Sequence, residues 1–264
     1  MDFIGSSLPI SESGFQKALD LLKVGAPELW AVLAVETQGC GFLQDRRPVI
    51  LFERHIFHKQ TKGVYDKTDP AISTPKAGGY IGGTAEYGRL QKAMKLNPKA
   101  ALNSTSWGIG QIMGLNCRSA GFDSVEAMVT AMVNSEDAQL EGMAGFVRSN
   151  NMHVAFAKRD WAAFARAYNG PDFAKNQYDV RLAGNFQKFS AGVLPSLMIR
   201  RAQLLLLFLG FAPGIVDGFS GKLTRSAVSA FRKEAGMGDT ETIDADLIAA
   251  LEQRLAQAAA AGQS

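Results

Sequence analysis

A single carboxylate, Glu36, closes the apolar run LWAVLAV, and its placement suits acid–base chemistry. Leu29, Val32, Leu33 and Glu36 fall at i, i+3, i+4 and i+7, so on a helix the carboxyl shares a stripe with three aliphatic side chains. Desolvation disfavours the charged form and raises a carboxyl pKa, which is what a general acid near neutral pH requires. Gly39 and Gly41 then break the helix and leave room for a substrate. The alternative is a glutamate at a helix end that points into solvent. Glu53 is a second carboxylate in an apolar setting; Arg46, Arg47 and Arg54 lie close in sequence and would hold it ionised, or simply pair with it.

Residues 104 to 114, STSWGIGQIMG, form a second unusual stretch. Its glycines allow close backbone approach, Trp107 offers a flat apolar face of the kind on which sugars stack, and Gln111 can both donate and accept hydrogen bonds. Together they read as a cleft wall, against the plainer reading of a tight turn with Trp107 in the core. Tyr168 and Asn169 arrive at the end of a helix over WAAFARAYNGP that Asp160 caps, where the hydroxyl and amide can reach a ligand or a neighbouring carboxylate.

The elements that must position these groups are mostly helical. Ser13 with Gln16 fits a capping box before Phe15, Ala18, Leu19 and Leu22, and Pro27 suits the start of the Glu36 helix. The segment RRPVILFERHIFHK holds a short buried strand over VILF, although Phe52, His55, Ile56 and Lys59 also suit a helix starting near Glu53. Residues 61 to 83 read as a long exposed loop with no core face, of a length that tends to be functional. Helices follow around Tyr87, Leu90 and Met94, with Glu86 in the first turn, then from Asp123 and Glu126 through Met132, and again through Leu140, Met143 and Val147. Tyr178, Leu182, Phe186 and Phe189 complete the scaffold. GVLPS at 192 to 196 is a short joint, after which about sixty residues carry three helices, a Pro-Gly turn and the turn Asp217-Gly218.

Composition narrows the classes. The 264 residues are 47% hydrophobic and 20% charged, as in a folded globular chain of one large and one small unit. The net charge of +3 is small, and residues 200 to 264 carry seven basic and seven acidic side chains, so a nucleic-acid partner is not expected. The run LLLLFL at 204 to 209 is too short to span a bilayer, and the N-terminus lacks the pattern of a secretion signal, so no membrane insertion and a cytosolic start are expected. Cys40 and Cys117 make neither a disulfide framework nor a metal site; free thiols are the default, and a contact between the two stays open.

The tail, QLLLLFLGFAPGIVDGFSGKLTRSAVSAFRKEAGM followed by IDADLIAAL, resembles the three-helix peptidoglycan-binding domain of cell-wall hydrolases. The first 195 residues are similar to the N-acetylmuramidase domain of phage endolysins through VETQGCGF, RPVILFERHIF, STSWGIGQIMGLN and AYNG. These resemblances imply a mostly α protein. A lysozyme-like helical domain with a small β element would span residues 1–195, and a peptidoglycan-binding module with Asp217, Gly218 and Phe219 toward the wall would span 196–264. They imply Glu36 as general acid, Gly110 and Gln111 lining the cleft, and Tyr168 with Asn169 closing it. The expected reaction is hydrolysis of the β-1,4 bond between N-acetylmuramic acid and N-acetylglucosamine, without cofactor or metal. The protein would be a monomer that waits in the host cytoplasm for a membrane pore and then acts on peptidoglycan in the periplasm.

Glycoside hydrolysis normally uses two carboxylates, and Glu53 and Asp45 are the candidates for the second. If neither serves, Glu36 acts alone and the substrate's own hydroxyl attacks, as in lytic transglycosylases. A zinc peptidase or amidase using His55, His58 and His153 is a rival without an accompanying ligand motif. A non-catalytic wall-binding protein is another, and the presence of Glu36 leans against it.

Overall fold

The computed structural model describes residues 2–36 and 40–261. The chain begins with two helices that set the acid in place. α1 (Glu12–Leu22) is capped by Ser11, whose hydroxyl accepts from the Gly14 amide at 2.9 Å, so the cap lies upstream of the expected Ser13, and Gln16 instead donates to Asp20. α2 (Ala26–Glu36) buries Leu29, Trp30, Ala31, Val32, Leu33 and Val35, as an all-round apolar run must. It ends at Glu36. Gly39, expected to help break this helix, lies outside the described residues.

The VILF segment satisfies both readings in series. β1 (Ile50–Phe52) is followed by α3 (Arg54–Gln60), with Glu53 at the junction. Further helices are α4 (Ala85–Leu96) and α5 (Pro98–Asn103). Asn97 caps α5 and Pro98 stands at its start, the position that needs no amide donor. β2 (Thr105–Trp107) and β3 (Ile112–Met113) then form a hairpin beside β1, in an antiparallel sheet of order β1-β2-β3 with Ile50 opposite Trp107 and Trp107 opposite Ile112. The loop from residue 61 does have a core face in its first half. Ile72 and Ser73 are buried, and Tyr65 stacks on Phe57 while donating to the Leu96 carbonyl.

Helices α6 (Val125–Asn134), α7 (Glu136–Ser149), α8 (His153–Ala157), α9 (Trp161–Asn169) and α10 (Tyr178–Ala191) close the larger core. Ser124, not Asp123, caps α6; Ser135 caps α7; Asp160 caps α9 as expected. α10 lies along α2, and α1 lies along α7. After residues 192 to 196 come α11 (Leu197–Phe208), α12 (Lys222–Glu234) and α13 (Ala245–Ala261), which share a second core of Ala202, Leu205, Leu206, Val228, Phe231, Leu247 and Leu251.

Glu86 shows how long-range pairing holds the sheet. Its fully buried carboxylate accepts from the amides of Phe52 at 3.1 Å, Ile81 at 2.6 Å and Gly82 at 3.1 Å, and from Arg89 at 2.8 Å. Burial pushes its pKa up, but the amides and Arg89 outweigh that and hold it below the usual range. Helix-dipole placement is thus the lesser part of its role. Replacing Glu86 with Ala strands these donors and should cost about 3–5 kcal/mol, lowering Tm by roughly 6–15 °C in a thermal melt at pH 7.

Candidate active site

Glu36 is the last residue of α2, partly exposed, with the three aliphatic members of its stripe, Leu29, Val32 and Leu33, fully buried. Burial raises its pKa from 4.5 to about 7, against the lowering effects of a hydrogen bond from Tyr178 and the charge of Arg181. The Tyr178 hydroxyl donates to Glu36 Oε1 in a short hydrogen bond. Asn169 bonds the same hydroxyl and favours its ionised form, so the amide donates to it, giving a relay from Asn169 to Tyr178 to Glu36. Arg181 donates to the Val35 carbonyl at 3.1 Å, which fixes the last turn of α2.

Tyr168 is a second tyrosine within reach of the Glu36 charge. Its hydroxyl donates to the Gly110 carbonyl at 2.7 Å, and its ring stacks on Phe164 and meets Phe146 edge-on. Burial and the Glu36 charge keep the Tyr168 hydroxyl, like that of Tyr178, protonated well past its ordinary range. The acid is therefore flanked by neutral hydroxyl and amide groups. Such a setting lets a protonated carboxyl donate to a leaving oxygen and then holds the carboxylate that results.

Several expected site residues are placed otherwise. Trp107 is fully buried in the middle of the sheet, its ring against Phe3 and its Nε1 donating to the Leu102 carbonyl, so it offers no face to a sugar. Gln111, at φ 48°, turns back on its own hairpin: its amide donates to the Gly108 and Val49 carbonyls and accepts from Ser106. It shapes the wall from within. Gly110 is buried with no room for a side chain against Met143, which is what lets Tyr168 reach its carbonyl.

Asp45 is a turn residue. Its carboxylate accepts from the Arg47 amide at 3.2 Å and from the Arg47 guanidinium at 2.9 and 2.5 Å. Glu53 takes none of the arginines proposed for it, because Arg54 donates to the Lys76 and Ala77 carbonyls and Arg46 to Gly5 and Ser6. Instead both of its oxygens accept from the Tyr80 hydroxyl, at 3.0 and 2.9 Å, and His55 Nδ1 lies 3.1 Å away. His58 pairs with Asp66, and among the described residues no three His, Cys, Asp or Glu side chains converge as metal ligands. The two cysteines are free; burial pushes the Cys40 thiol up to about 12, and it donates to the Phe42 carbonyl. Asp217, Gly218 and Phe219 form the turn after α11, built on buried Gln203, which accepts from the Gly218 amide at 2.8 Å and donates to Asp217 at 3.1 Å. That turn faces the joint: Gly218 is buried against Pro195, and Phe219 stacks on Phe189 of α10.

A family model described as Muramidase: N-acetylmuramidase matches residues 25–190. This chain belongs to the N-acetylmuramidase family. The span runs from the start of α2 to the end of α10 and so takes in Glu36, the hairpin, Tyr168 and Tyr178. The crystal structure of an endolysin from the Burkholderia phage AP3 is similar to the muramidase chain at 42% identity, covering 69% of this chain and 71% of that one with a TM-score of 0.64. No curated protein matches. The mostly helical architecture with a small sheet accords with a lysozyme-like endolysin fold.

The residue that sequence reasoning missed is Tyr178, taken there as scaffold. The signal for it was slight: a tyrosine opening a helix a few residues after Tyr168-Asn169. Arg181, one turn later, was likewise unmarked.

Because Glu36 binds its proton more tightly folded than unfolded, its own contribution to stability is fully present below pH 4.5 and is lost as the pH rises through about 7. A Glu36→Gln variant has no charge to bury. It should match the wild type at pH 4 and exceed it at pH 8 by about 3 kcal/mol, a Tm gain of roughly 6–12 °C by calorimetry.

Proposed function

We infer that the chain is an endolysin that hydrolyses the β-1,4 bond between N-acetylmuramic acid and N-acetylglucosamine in bacterial peptidoglycan, with Glu36 as general acid. The observation that carries this reading is the desolvated Glu36 carboxyl, raised to about 7 and bonded by the Tyr178 hydroxyl. The proton goes to the glycosidic oxygen as the bond to the anomeric carbon breaks, and Tyr178 stabilises the carboxylate left behind. Tyr168, Asn169, Gly110 and Gln111 shape the cleft that presents the bond. The three C-terminal helices hold the enzyme to the wall, which raises the local concentration of cleavable bonds. No described helix is long and apolar enough to cross a membrane, and we place the protein in the host cytoplasm, as a monomer, until a membrane pore releases it to the periplasm for lysis.

A second reading concerns what attacks the anomeric carbon. Glu53 or Asp45 would activate water in a hydrolase with two carboxylates. Both are engaged elsewhere, Asp45 by Arg47 and Glu53 by Tyr80, while the groups bonded around Glu36 are neutral. That favours a lytic transglycosylase, in which Glu36, ionised once it has given up its proton, takes a proton from the substrate's own hydroxyl as that oxygen closes an anhydro ring.

The test is a mass spectrum of soluble fragments released from purified peptidoglycan. Reducing muramic ends, lost by two or more orders of magnitude in Glu36→Gln, support hydrolysis with Glu36 as the acid. Anhydromuramic ends select the second reading; released peptides contradict both. A pH profile of the same release should fall through about 7 as Glu36 ionises. In Tyr178→Phe that limb should move to higher pH, since the lost hydrogen bond had favoured the carboxylate.

A further inference from the structure

The carboxylate of Glu136, at the start of α7, has no exposure and takes no part in the chemistry above. Four donors converge on it. Oε1 accepts from the Gly41 amide at 2.8 Å and from Arg200 at 2.7 Å, while Oε2 accepts from the Ile10 amide at 3.1 Å and from Arg200 at 2.5 Å. Arg200 lies on α11, beyond the joint and beyond the residues the family model covers, and it is itself 1% exposed. One turn along α7, buried Gln139 accepts from the Ile109 amide at 2.8 Å and donates to the Met132 carbonyl, with Gly41 and Gly108 both packed too closely on it to admit a side chain. The first turn of α7 therefore grips two stretches of backbone at once. One leads away from Glu36; the other is the hairpin whose Gly110 carbonyl receives Tyr168.

Resting on the reading of Glu36 as the acid, we propose that Arg200 is a positioning residue for it, acting through Glu136 and Gly41, so that α11 is a working part of the catalytic unit and not merely the first helix of a tether. A guanidinium is suited to this because its fork bonds both carboxylate oxygens in one plane. A buried carboxylate that loses its cation must rearrange or take up a proton, and either change loosens its hold on the Gly41 amide. A pure tether, by contrast, would affect turnover of insoluble wall and nothing else.

The experiment compares full-length wild type, Arg200→Lys, Arg200→Met and the double variant Glu136→Gln/Arg200→Met on a soluble glycan hexamer of alternating N-acetylglucosamine and N-acetylmuramic acid. Amide hydrogen exchange is followed in parallel. The double variant buries no unpaired charge and Arg200→Lys keeps the cation, so either stands in should Arg200→Met not fold. The expected result is a kcat at least tenfold below wild type with KM within about twofold, in every variant. Exchange should quicken in segments 40–46 and 107–112 while α12 and α13 stay as in the wild type. Wild-type kcat on the hexamer with slower digestion of intact wall would overturn the proposal, as would full recovery of kcat in the double variant. Should the wild type itself leave the hexamer uncut, the muramidase reading fails on its own, and exchange decides: quickening in both segments upholds the positioning role, and unchanged exchange overturns it.

Discussion

Withholding water from one carboxyl group is the constraint on which the site depends. Glu36 ends a helix buried on nearly every side, so its ionised form loses most of the solvation that a surface glutamate keeps. An apolar pocket alone would push the proton affinity so high that the conjugate base could hardly form. Tyr178, Asn169 and Arg181 counter that with a hydroxyl, an amide and a nearby cation. The balance lies near neutrality, where a group can both give up a proton and take one back.

Around that carboxyl the structure solves a problem of rigidity. Glu36 lies in the last turn of its helix, the part of an element most prone to fray. Buried polar side chains on α7 and α4 bind the backbone on its flanks: Glu136 and Gln139 hold Gly41 and the hairpin, while Glu86 holds the end of β1 and the loop at residues 81 and 82. All three are fully buried; the two carboxylates each accept four hydrogen bonds, one or more from an arginine, so neither charge is left unpaired. The C-terminal helices join this arrangement through Arg200, and through Leu204 and Val216, which form a small apolar cluster with Phe42.

What could be read in advance followed from how local the signal was. The stripe Leu29, Val32, Leu33 and Glu36 is a matter of helical spacing, and the structure reproduces it with its raised pKa. Tyr168 with Asn169 at a capped helix's end was legible for the same reason. Trp107 was not: a glycine-rich stretch with an aromatic looks alike whether the ring points into a cleft or a core, and here strand register turned it inward beside Phe3. Glu53 shows the limit of reading charge from neighbours in sequence, since Arg46, Arg47 and Arg54 all find partners elsewhere and a tyrosine from a later loop takes their place. The partners of Glu136, Glu86 and Tyr178 come from distant segments, and no periodicity within one element announces them.

The central claim is that Glu36 is a proton donor at neutral pH because burial has raised its affinity. A direct titration, following the side-chain carboxyl 13C shift of Glu36 in protein labelled at glutamate and assigned with Glu36→Gln, measures that without recourse to activity. A midpoint near 7 is the result the account predicts. A midpoint between about 4 and 5, the range of an ordinary solvated glutamate, would contradict it and return Glu36 to the surface of a helix end.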